Sequence, residues 1–260
     1  MDFALILFVC TVVTGVLWAL DKRLWEPKRR AAADEAVREF DVANREAVAL
    51  KNKAVLDERS ALWRNKSQMP WYLEYTASLF PAFAIVFLIR SFLFEPFRIP
   101  SGSMLPTLHI GDFILVNKYQ YGIRLPVVDL KVVPVGSPQR GDVVVFRYPM
   151  DTSVNYIKRV VGLPGDTVEV KSGVLSVNGV TYDESYLTDE RTARFDKSSS
   201  DFSITLGEDE YFVMGDNRDN SNDSRNVGVI NRDMFVGKVR QIIWPLTRFS
   251  TIGGSEVYNQ

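Results

Sequence analysis

Cysteine and histidine are nearly absent from this sequence, in which Cys10 and His109 are the single representatives of their types. One cysteine cannot form an intrachain disulfide or a cysteine-based zinc site. Because Cys10 lies inside an apolar run, it is interpreted as a passive membrane residue.

An excess of charge of either sign is also missing. The 31 Lys and Arg residues nearly balance the 32 Asp and Glu residues, so the net charge is −1 and the sequence pI is about 6.0. Without a global basic field we expect no nucleic-acid partner. We also expect no metal and no cofactor. The 260 residues, of which 46% are hydrophobic, suffice for a real core in one or two domains.

The first hydrophobic segment, Phe3–Leu20, contains no charged residue and is close to the length that spans a bilayer as a helix. A cleaved secretory signal is the alternative. Asp2 stands where such a signal has a basic region, and "VLWAL" lacks a small-x-small cleavage site. We therefore predict an uncleaved transmembrane helix over residues 1–20.

The second hydrophobic segment, Trp71–Phe97, has a shorter charge-free centre, so a buried helix of a soluble domain is its alternative interpretation. Its interruptions are Glu74, Pro81, Arg90 and Glu95. Aromatic residues at both ends and charges confined to the flanks favour a second transmembrane helix over residues 71–94.

The intervening residues 21–70 carry basic clusters next to both spans and an Ala-rich, helical middle. By the positive-inside rule this helical loop is cytoplasmic, and the N-terminus and everything after Phe97 lie outside. Residues 95–260 read as short β runs separated by turns such as "LPGD" and "VNGV". We predict a mainly β, antiparallel domain with a small insertion at about residues 172–208, in which residues 189–203 form a surface loop.

Residues 98–112, "RIPSGSMLPTLHIGD", hold the serines Ser101 and Ser103 in a turn that Pro100, Gly102 and Pro106 restrict. Such a turn suits a nucleophile, although serines are common in ordinary turns. The base would be His109 or a desolvated lysine. Strand periodicity leaves three candidate lysines open, namely Lys118, Lys158 and Lys238.

Acids, amides and arginines are dense between Met214 and Gly228, in "MGDNRDNSNDSRNVG". The spacing does not match a calcium loop, since glycine is missing at the sixth place and an acid at the twelfth. We expect these side chains to bond to one another and fix a loop.

Four stretches in this order, "PSGSMLPTLHIGDFILVNKYQYG", "RGDVVVFRYP", "YIKRVVGLPGD" and "GDNRDNSNDSR", follow the two spans and closely resemble the bacterial signal peptidase I (leader peptidase) family. The resemblance covers about residues 94–240. It implies a membrane-bound serine endopeptidase of the Ser-Lys type that cleaves signal peptides from secretory preproteins after a small-x-small motif. It also implies the bacterial cytoplasmic (inner) membrane, with a multi-pass chain and the catalytic domain on the periplasmic side.

The same resemblance implies roles for individual residues. Ser103 matches the nucleophile and Lys158 the general base, while the Ser103 N–H and the Ser101 hydroxyl match the oxyanion hole. Ser221 matches the residue that orients the lysine. The matching ion-pair scaffold is Asp216, Asp223, Arg159 and Arg225. The matching substrate pockets, which would hold a peptide extended along strand edges, are Phe97, Ile99, Pro100, Met104, Ile114, Val145 and Ile157.

Two other functions stay open at this point. A self-cleaving Ser-Lys regulator of the repressor type would need an N-terminal DNA-binding helix pair, which a membrane span replaces here. A membrane-anchored binding module without activity would tolerate the loss of Ser103 and Lys158.

Overall fold

The computed structural model describes residues 3–124, 131–133, 135–171, 174–182, 187 and 201–253. The chain forms two compact units that divide between Leu88 and Ile89. The predicted start of the β domain, residue 95, lies a few residues beyond this division.

The first unit is helical, and a π-helical turn, Asp21–Trp25, joins its first two helices without a break. Its helices are α1 (Phe3–Leu20), α2 (Glu26–Ala43), α3 (Arg45–Ala49), α4 (Lys53–Ser67), α5 (Trp71–Ser78) and α6 (Phe80–Leu88). A second π-helical turn, Ile89–Leu93, belongs to the other unit and precedes its first strand.

Two helical stretches are long and apolar enough to cross a membrane. They are Phe3–Ala43 and Trp71–Leu93, with mean hydropathies of 2.5 and 1.8 in their most apolar windows. Only 11% of each window is buried within the protein. The core helix of a soluble domain, our alternative for the second segment, does not fit such low burial, because its apolar side chains would face water.

The two apolar helices of the first unit contact each other through aromatic rings. Phe8 and Phe87 have ring centroids 5.8 Å apart, and those of Trp18 and Phe80 are 5.4 Å apart. Gly15 lies under the Phe80 ring, where an added Cβ would come within 2.9 Å of a ring carbon. A small residue at this place lets the helices approach closely, as in packed membrane helices.

Helices α2 and α4 form the helical hairpin of the loop between the spans. Arg59 donates two hydrogen bonds to the Asp41 carboxylate, at 2.7 and 3.0 Å. The Trp63 indole donates to Asp34 at 2.9 Å. Ala33 and Val37 of α2 are also buried, so a small apolar interface accompanies these polar contacts. The remaining side chains of the pair are mostly exposed or half-buried, in keeping with a solvated helical loop.

The second unit is built from β-strands, which confirms the mainly β, antiparallel fold class. The strands are β1 (Phe94–Arg98), β2 (Phe113–Asn117), β3 (Ile123–Arg124), β4 (Lys131–Val133), β5 (Val143–Tyr148), β6 (Asp151–Gly162), β7 (Thr167–Lys171), β8 (Val174–Val177), β9 (Val180–Thr181), β10 (Phe202–Thr205), β11 (Glu210–Met214), β12 (Ile230–Asn231), β13 (Phe235–Trp244) and β14 (Ser250–Thr251). One short helix, α7 (Ser224–Val227), follows β11.

The large sheet has the order β1-β2-β13-β5-β6-β11-β12, with β14 beside β13, and its neighbours are antiparallel. Its central strand β5 carries four successive buried apolar residues, "VVVF", because both faces of the sheet are covered. Val143 and Val145 pack into one core cluster with Met104 and Leu108. Val144 packs on the opposite face, among aromatic residues. This core holds both the serine loop and β6.

A smaller sheet, of order β10-β7-β8-β9, encloses its own apolar cluster. It extends beyond the predicted insertion of residues 172–208, since β7 begins at Thr167 and pairs with both β8 and β10. Asp166 fixes the junction by accepting from Arg140 at 2.7 Å and from Asn178 at 2.8 Å. Of the predicted surface loop at residues 189–203, residues 189–200 lie outside the described part and Phe202–Ser203 belong to β10.

Gly237 in β13 supplies a test of the packing beneath the site. A Cβ at this position would overlap the Asn117 carbonyl oxygen and approach Val116 Cγ1 to 2.8 Å. Overpacking of this kind costs about 1–3 kcal/mol, so Gly237→Ala should lower the melting temperature by several degrees. Gly253→Ala, whose Cβ would meet nothing within 4 Å, is the matched control for differential scanning calorimetry. Equal melting temperatures for the two variants would contradict the tight packing of β13.

Candidate active site

Ser103 and Lys158 meet in the second unit, although 55 positions separate them in the chain. The Lys158 ammonium nitrogen Nζ lies 2.8 Å from Ser103 Oγ and also donates to the Ile157 carbonyl at 2.9 Å. Ser103 comes from the loop between β1 and β2, and Lys158 from the middle of β6. This distance allows direct proton transfer between the two side chains.

Backbone hydrogen bonds at its base and apolar anchors hold the serine loop. The Ile99 N–H donates to the Asp112 carbonyl at 2.8 Å, and the Gly111 N–H donates back to Ile99 at 2.9 Å. Gly111 has a φ of +91°, a conformation that favours glycine. Met104 and Leu108 point into the core, so the loop cannot move without opening an apolar cavity.

Lys158 is almost completely buried, with 4% of its surface exposed. Burial lowers the pKa of its amine from the ordinary 10.5 to about 8. The carboxylates of Asp223 and Asp216 oppose this shift, and the Arg225 guanidinium supports it. Lys158 Nζ lies over the Tyr156 ring, 5.4 Å from its centroid. A substantial fraction of Lys158 is therefore neutral near pH 8.

The other two candidate lysines are ion-paired. Lys118 lies 3.1 Å from a Glu95 carboxylate oxygen, and Lys238 lies 2.5 Å from Asp142. In the described part of the chain, each of these two ammonium groups thus contacts a carboxylate and not a serine hydroxyl. His109 lies in a turn before β2, and within the described residues its imidazole makes no hydrogen bond. Of the four candidate bases, only Lys158 contacts a serine hydroxyl in the described structure.

Two buried ion pairs support the loop that follows β11. Arg159 donates to both oxygens of Asp216, at 2.9 and 2.7 Å, and Arg225 binds Asp223 at 2.8 and 2.9 Å. The Thr107 hydroxyl donates to Asp216 at 2.5 Å, which ties this loop to the serine loop. These four charged residues are those that the resemblance assigned to an ion-pair scaffold.

Ser221 lies beside the site, but the structure gives it no hydrogen bond to Lys158. Its buried Oγ has no partner among the described residues. A Cβ on Gly215 would overlap this oxygen and come within 2.5 Å of the Ser103 carbonyl oxygen. Glycine at position 215 therefore lets Ser221 and the backbone of Ser103 approach each other. The role of Ser221 as an orienting residue stays a prediction.

The expected oxyanion donors are available for a ligand. Ser101 is exposed, and the Ser103 N–H donates to no protein acceptor in the described part of the chain. Both donors line one cavity together with Ser103 and Lys158. An N–H without a protein partner beside a nucleophile is the arrangement that an oxyanion hole requires.

This cavity has a volume of about 410 Å³. Of the seven predicted pocket residues it is lined by Ile99, Pro100, Met104 and Ile157. Ile114 and Val145 are fully buried in the core beneath it, against which Phe97 also packs. Phe97, Ile114 and Val145 therefore do not line the cavity, and they pack in the core that supports it.

Asn217 is a functional candidate that the sequence analysis did not single out. Its side-chain Nδ2 donates to the Gly102 carbonyl at 2.9 Å, and its backbone N–H donates to the Ser103 carbonyl at 3.1 Å. The Gly102 carbonyl and the Ser103 N–H belong to one planar trans peptide and point in opposite directions. By holding the Gly102 carbonyl, the Asn217 side chain therefore fixes the direction of the Ser103 N–H. The density of amides in "GDNRDN" indicates a loop rich in side-chain hydrogen bonds, but nothing in the sequence distinguishes Asn217 from its neighbours.

Comparison with known proteins identifies the family of the chain. The sequence profile of the family described as "Signal peptidase, peptidase S26" matches residues 72–244. A signal peptidase I from Pseudomonas aeruginosa is 41% identical, with 97% of this chain and 98% of the relative covered. The chain belongs to the signal peptidase S26 family.

Further S26 relatives include a signal peptidase I from Haemophilus influenzae, 31% identical over 92% of this chain and 85% of its own. Signal peptidase I S from Bacillus subtilis is 36% identical over 70% of this chain and 94% of its own. A crystal structure of a signal peptidase I from Enterococcus faecalis aligns at 35% identity with 39% of this chain and 95% of its own, with a TM-score of 0.35. Membership confirms the predicted family and a serine endopeptidase, and it sets aside the repressor-type regulator and the inactive binding module.

Asn217→Ala tests whether this residue aims the oxyanion donor of the S26 site. Losing one hydrogen bond that orients the Ser103 peptide should lower kcat about tenfold and change KM little, because the donor acts on the transition state. Asn226→Ala, an exposed amide on α7, is the control and should leave both constants unchanged. Kinetics on a small-x-small precursor measure both. An equal rise of KM with kcat retained would instead assign Asn217 to substrate binding.

Proposed function

We propose that this chain is a membrane-bound endopeptidase that removes signal peptides from exported preproteins with Ser103 as nucleophile and Lys158 as general base. The observation that carries the assignment is the 2.8 Å contact between Ser103 Oγ and a buried lysine whose pKa is lowered to about 8. The family supplies the reaction class, and this contact supports the choice of these two residues.

The proposed reaction begins with neutral Lys158. Its amine takes the Ser103 hydroxyl proton while Oγ attacks the scissile carbonyl carbon. The Ser103 N–H and the Ser101 hydroxyl then donate to the oxyanion of the tetrahedral intermediate. The Lys158 ammonium returns its proton to the leaving amine, and the peptide bond breaks to leave an acyl-enzyme. A water, deprotonated by Lys158, hydrolyses this ester and regenerates Ser103.

A free strand edge supports the expected mode of substrate binding. On β6, residues Asp151 to Arg159 pair with β5, whereas β11 pairs only from Arg159 onward. Within the described residues, the second edge of β6 before Lys158 is thus left unpaired, and Val154 and Asn155 line the cavity there. A peptide can add to such an edge as an extended strand. The apolar cavity floor would then receive alternate small side chains, which fits a small-x-small motif.

The pH dependence of the reaction should follow Lys158. Because the base is the neutral amine, kcat/KM should be low where Lys158 is protonated and should rise with pH through about 8. Lys158→Arg should be inactive, since a guanidinium keeps its proton in this range. The measurement is the cleavage rate of an Ala-x-Ala precursor by solubilised protein against pH.

His109→Ala is the matched control for this experiment. It removes the alternative base, which contacts neither Ser103 nor Lys158, and should keep most of the activity and the same pH midpoint. Circular dichroism checks that each variant is folded. Near-normal turnover by Lys158→Arg, or abolished activity in folded His109→Ala, would overturn the Ser-Lys assignment.

The protein's orientation in the membrane is a second part of the proposal. The basic residues flanking both spans favour a cytoplasmic position for residues 21–70 and hence a β unit on the periplasmic side of the bacterial inner membrane. A peptidase acting on exported precursors needs its site on that side, so the charge pattern and the proposed activity agree.

Protease protection measures this orientation. Protease added outside intact spheroplasts should digest the β unit and spare the helical loop of residues 21–70. Lysed spheroplasts provide the control in which both segments are accessible. Digestion of the loop with protection of the β unit would reverse the orientation.

A further inference from the structure

A second cavity, of about 540 Å³, lies in the helical unit where α1 and α5 approach the basic loop. Its lining includes Leu17, Trp25, Lys28, Arg29, Tyr72 and Leu73. Along α1 and its helical continuation this lining passes from Leu17 through Trp25 to Lys28 and Arg29, an order that matches acyl chains, interface and headgroups.

The cations around this cavity exceed the local acids. Five basic and two acidic residues lie between Asp21 and Arg30. Glu26 is shared by Lys22, at 2.8 Å, and Arg30. In the described structure Lys28 has neither an ion-pair nor a hydrogen-bond partner. The cavity therefore presents an uncompensated positive charge.

An ion pair with Asp21 holds Arg29 in place but engages only part of its guanidinium. Its Nη1 lies 2.7 Å from Asp21, a carboxylate that is 1% exposed. Its Nε is buried and has no hydrogen-bond partner among the described residues. The Nε and Nη2 donors form the edge of the guanidinium that faces away from Nη1, and such an edge matches two oxygens of a phosphate.

We infer that this cavity binds the phosphate of an anionic phospholipid, with Lys28 and Arg29 on the headgroup and an acyl chain along Leu17 and Leu73. Trp25 and Tyr72 border the site at the level of the glycerol backbone. The N-terminus of α5 begins at Trp71 without a side-chain cap and adds a partial positive charge at the same end. The inference rests on the two membrane spans and is independent of the chemistry at Ser103.

Binding is measured by native mass spectrometry of the full chain from neutral-detergent micelles containing dioleoyl phosphatidylglycerol or dioleoyl phosphatidylcholine. The wild type should retain phosphatidylglycerol at lower lipid concentration than phosphatidylcholine. Inorganic phosphate is the third arm, and it should not displace the lipid at equal concentration because it lacks the acyl chain. Equal retention of both lipids, or displacement by phosphate, would overturn the inference.

Matched variants separate a built site from diffuse attraction. Lys28→Gln should weaken phosphatidylglycerol binding about fivefold, as one charge near anionic lipid does. Arg23→Gln removes an equal charge from the same segment outside the cavity and should change binding little. Equal weakening in these two variants would contradict a specific site.

The ion pair is tested by the double variant Asp21→Asn/Arg29→Gln, which removes both charges and leaves no buried carboxylate unpaired. It should also weaken phosphatidylglycerol binding, although the net charge is unchanged. Circular dichroism verifies the helical content of every variant. Unaltered binding in a folded double variant would exclude the Arg29 guanidinium from the site.

Discussion

A lysine amine can accept a proton near neutral pH only if the protein withholds water from it, and the arrangement of the β unit follows from this constraint. Lys158 is buried on β6, with its amine beside the Tyr156 ring and in contact with Ser103 of the serine loop. Exposed at the end of a strand, the same side chain would keep its proton. The serine must therefore be brought to the lysine, which explains why a long, anchored loop carries Ser103.

The ion-pair scaffold makes that burial compatible with nearby acids. Asp223 and Asp216 are fully buried, and each raises the pKa of Lys158 by its negative charge. Arg225 and Arg159 pair with them, so that the amine faces two nearly neutral pairs instead of two bare carboxylates. The acids still have a local task, since Asp223 accepts from the Gly215 N–H at 2.9 Å and Asp216 from Thr107. The loop after β11 thus gains rigidity from these carboxylates, while the pKa of Lys158 stays below its ordinary value.

Much of this could be predicted from sequence, for physical reasons that differ between features. The charge-free length of Phe3–Leu20 indicates a membrane helix directly, because a charged residue is costly in hydrocarbon, and the short β-branched and aromatic runs between turns indicate strands. Ser103 and Lys158 came from motif resemblance, since periodicity left Lys118 and Lys238 equally eligible. What separates the three lysines is a partner distant in sequence, Glu95 or Asp142, and pairing across a sheet leaves no local trace.

Features that depend on contacts between distant parts of the chain differed from the sequence-based predictions for the same reason. Asn217 acts through the Gly102 carbonyl, a backbone atom that every residue possesses, so no side-chain pattern marks the contact. Ile114 and Val145 carry suitable apolar side chains but lie one layer below the cavity surface, and depth is a property of packing rather than residue type. The smaller sheet extends beyond the predicted insertion because β7 pairs with β8 and β10, and the pairing of strands cannot be seen in the local sequence of β7.

The lowered pKa of Lys158 also has a cost that the fold must offset, because below pH about 8 the folded chain buries a charged ammonium. A lysine whose pKa falls from 10.5 to about 8 on folding lowers the free energy of unfolding by about 3 kcal/mol at pH values where both states would be protonated. This cost is complete below pH about 8 and disappears as the pH rises toward 10.5, where the unfolded chain also loses the proton. It is a large share of the stability of a typical domain. Met104 and Leu108 anchor the serine loop in the core, and β5, which is buried on both faces, pairs with β6 next to Lys158, so apolar packing adjacent to the site helps to offset this cost.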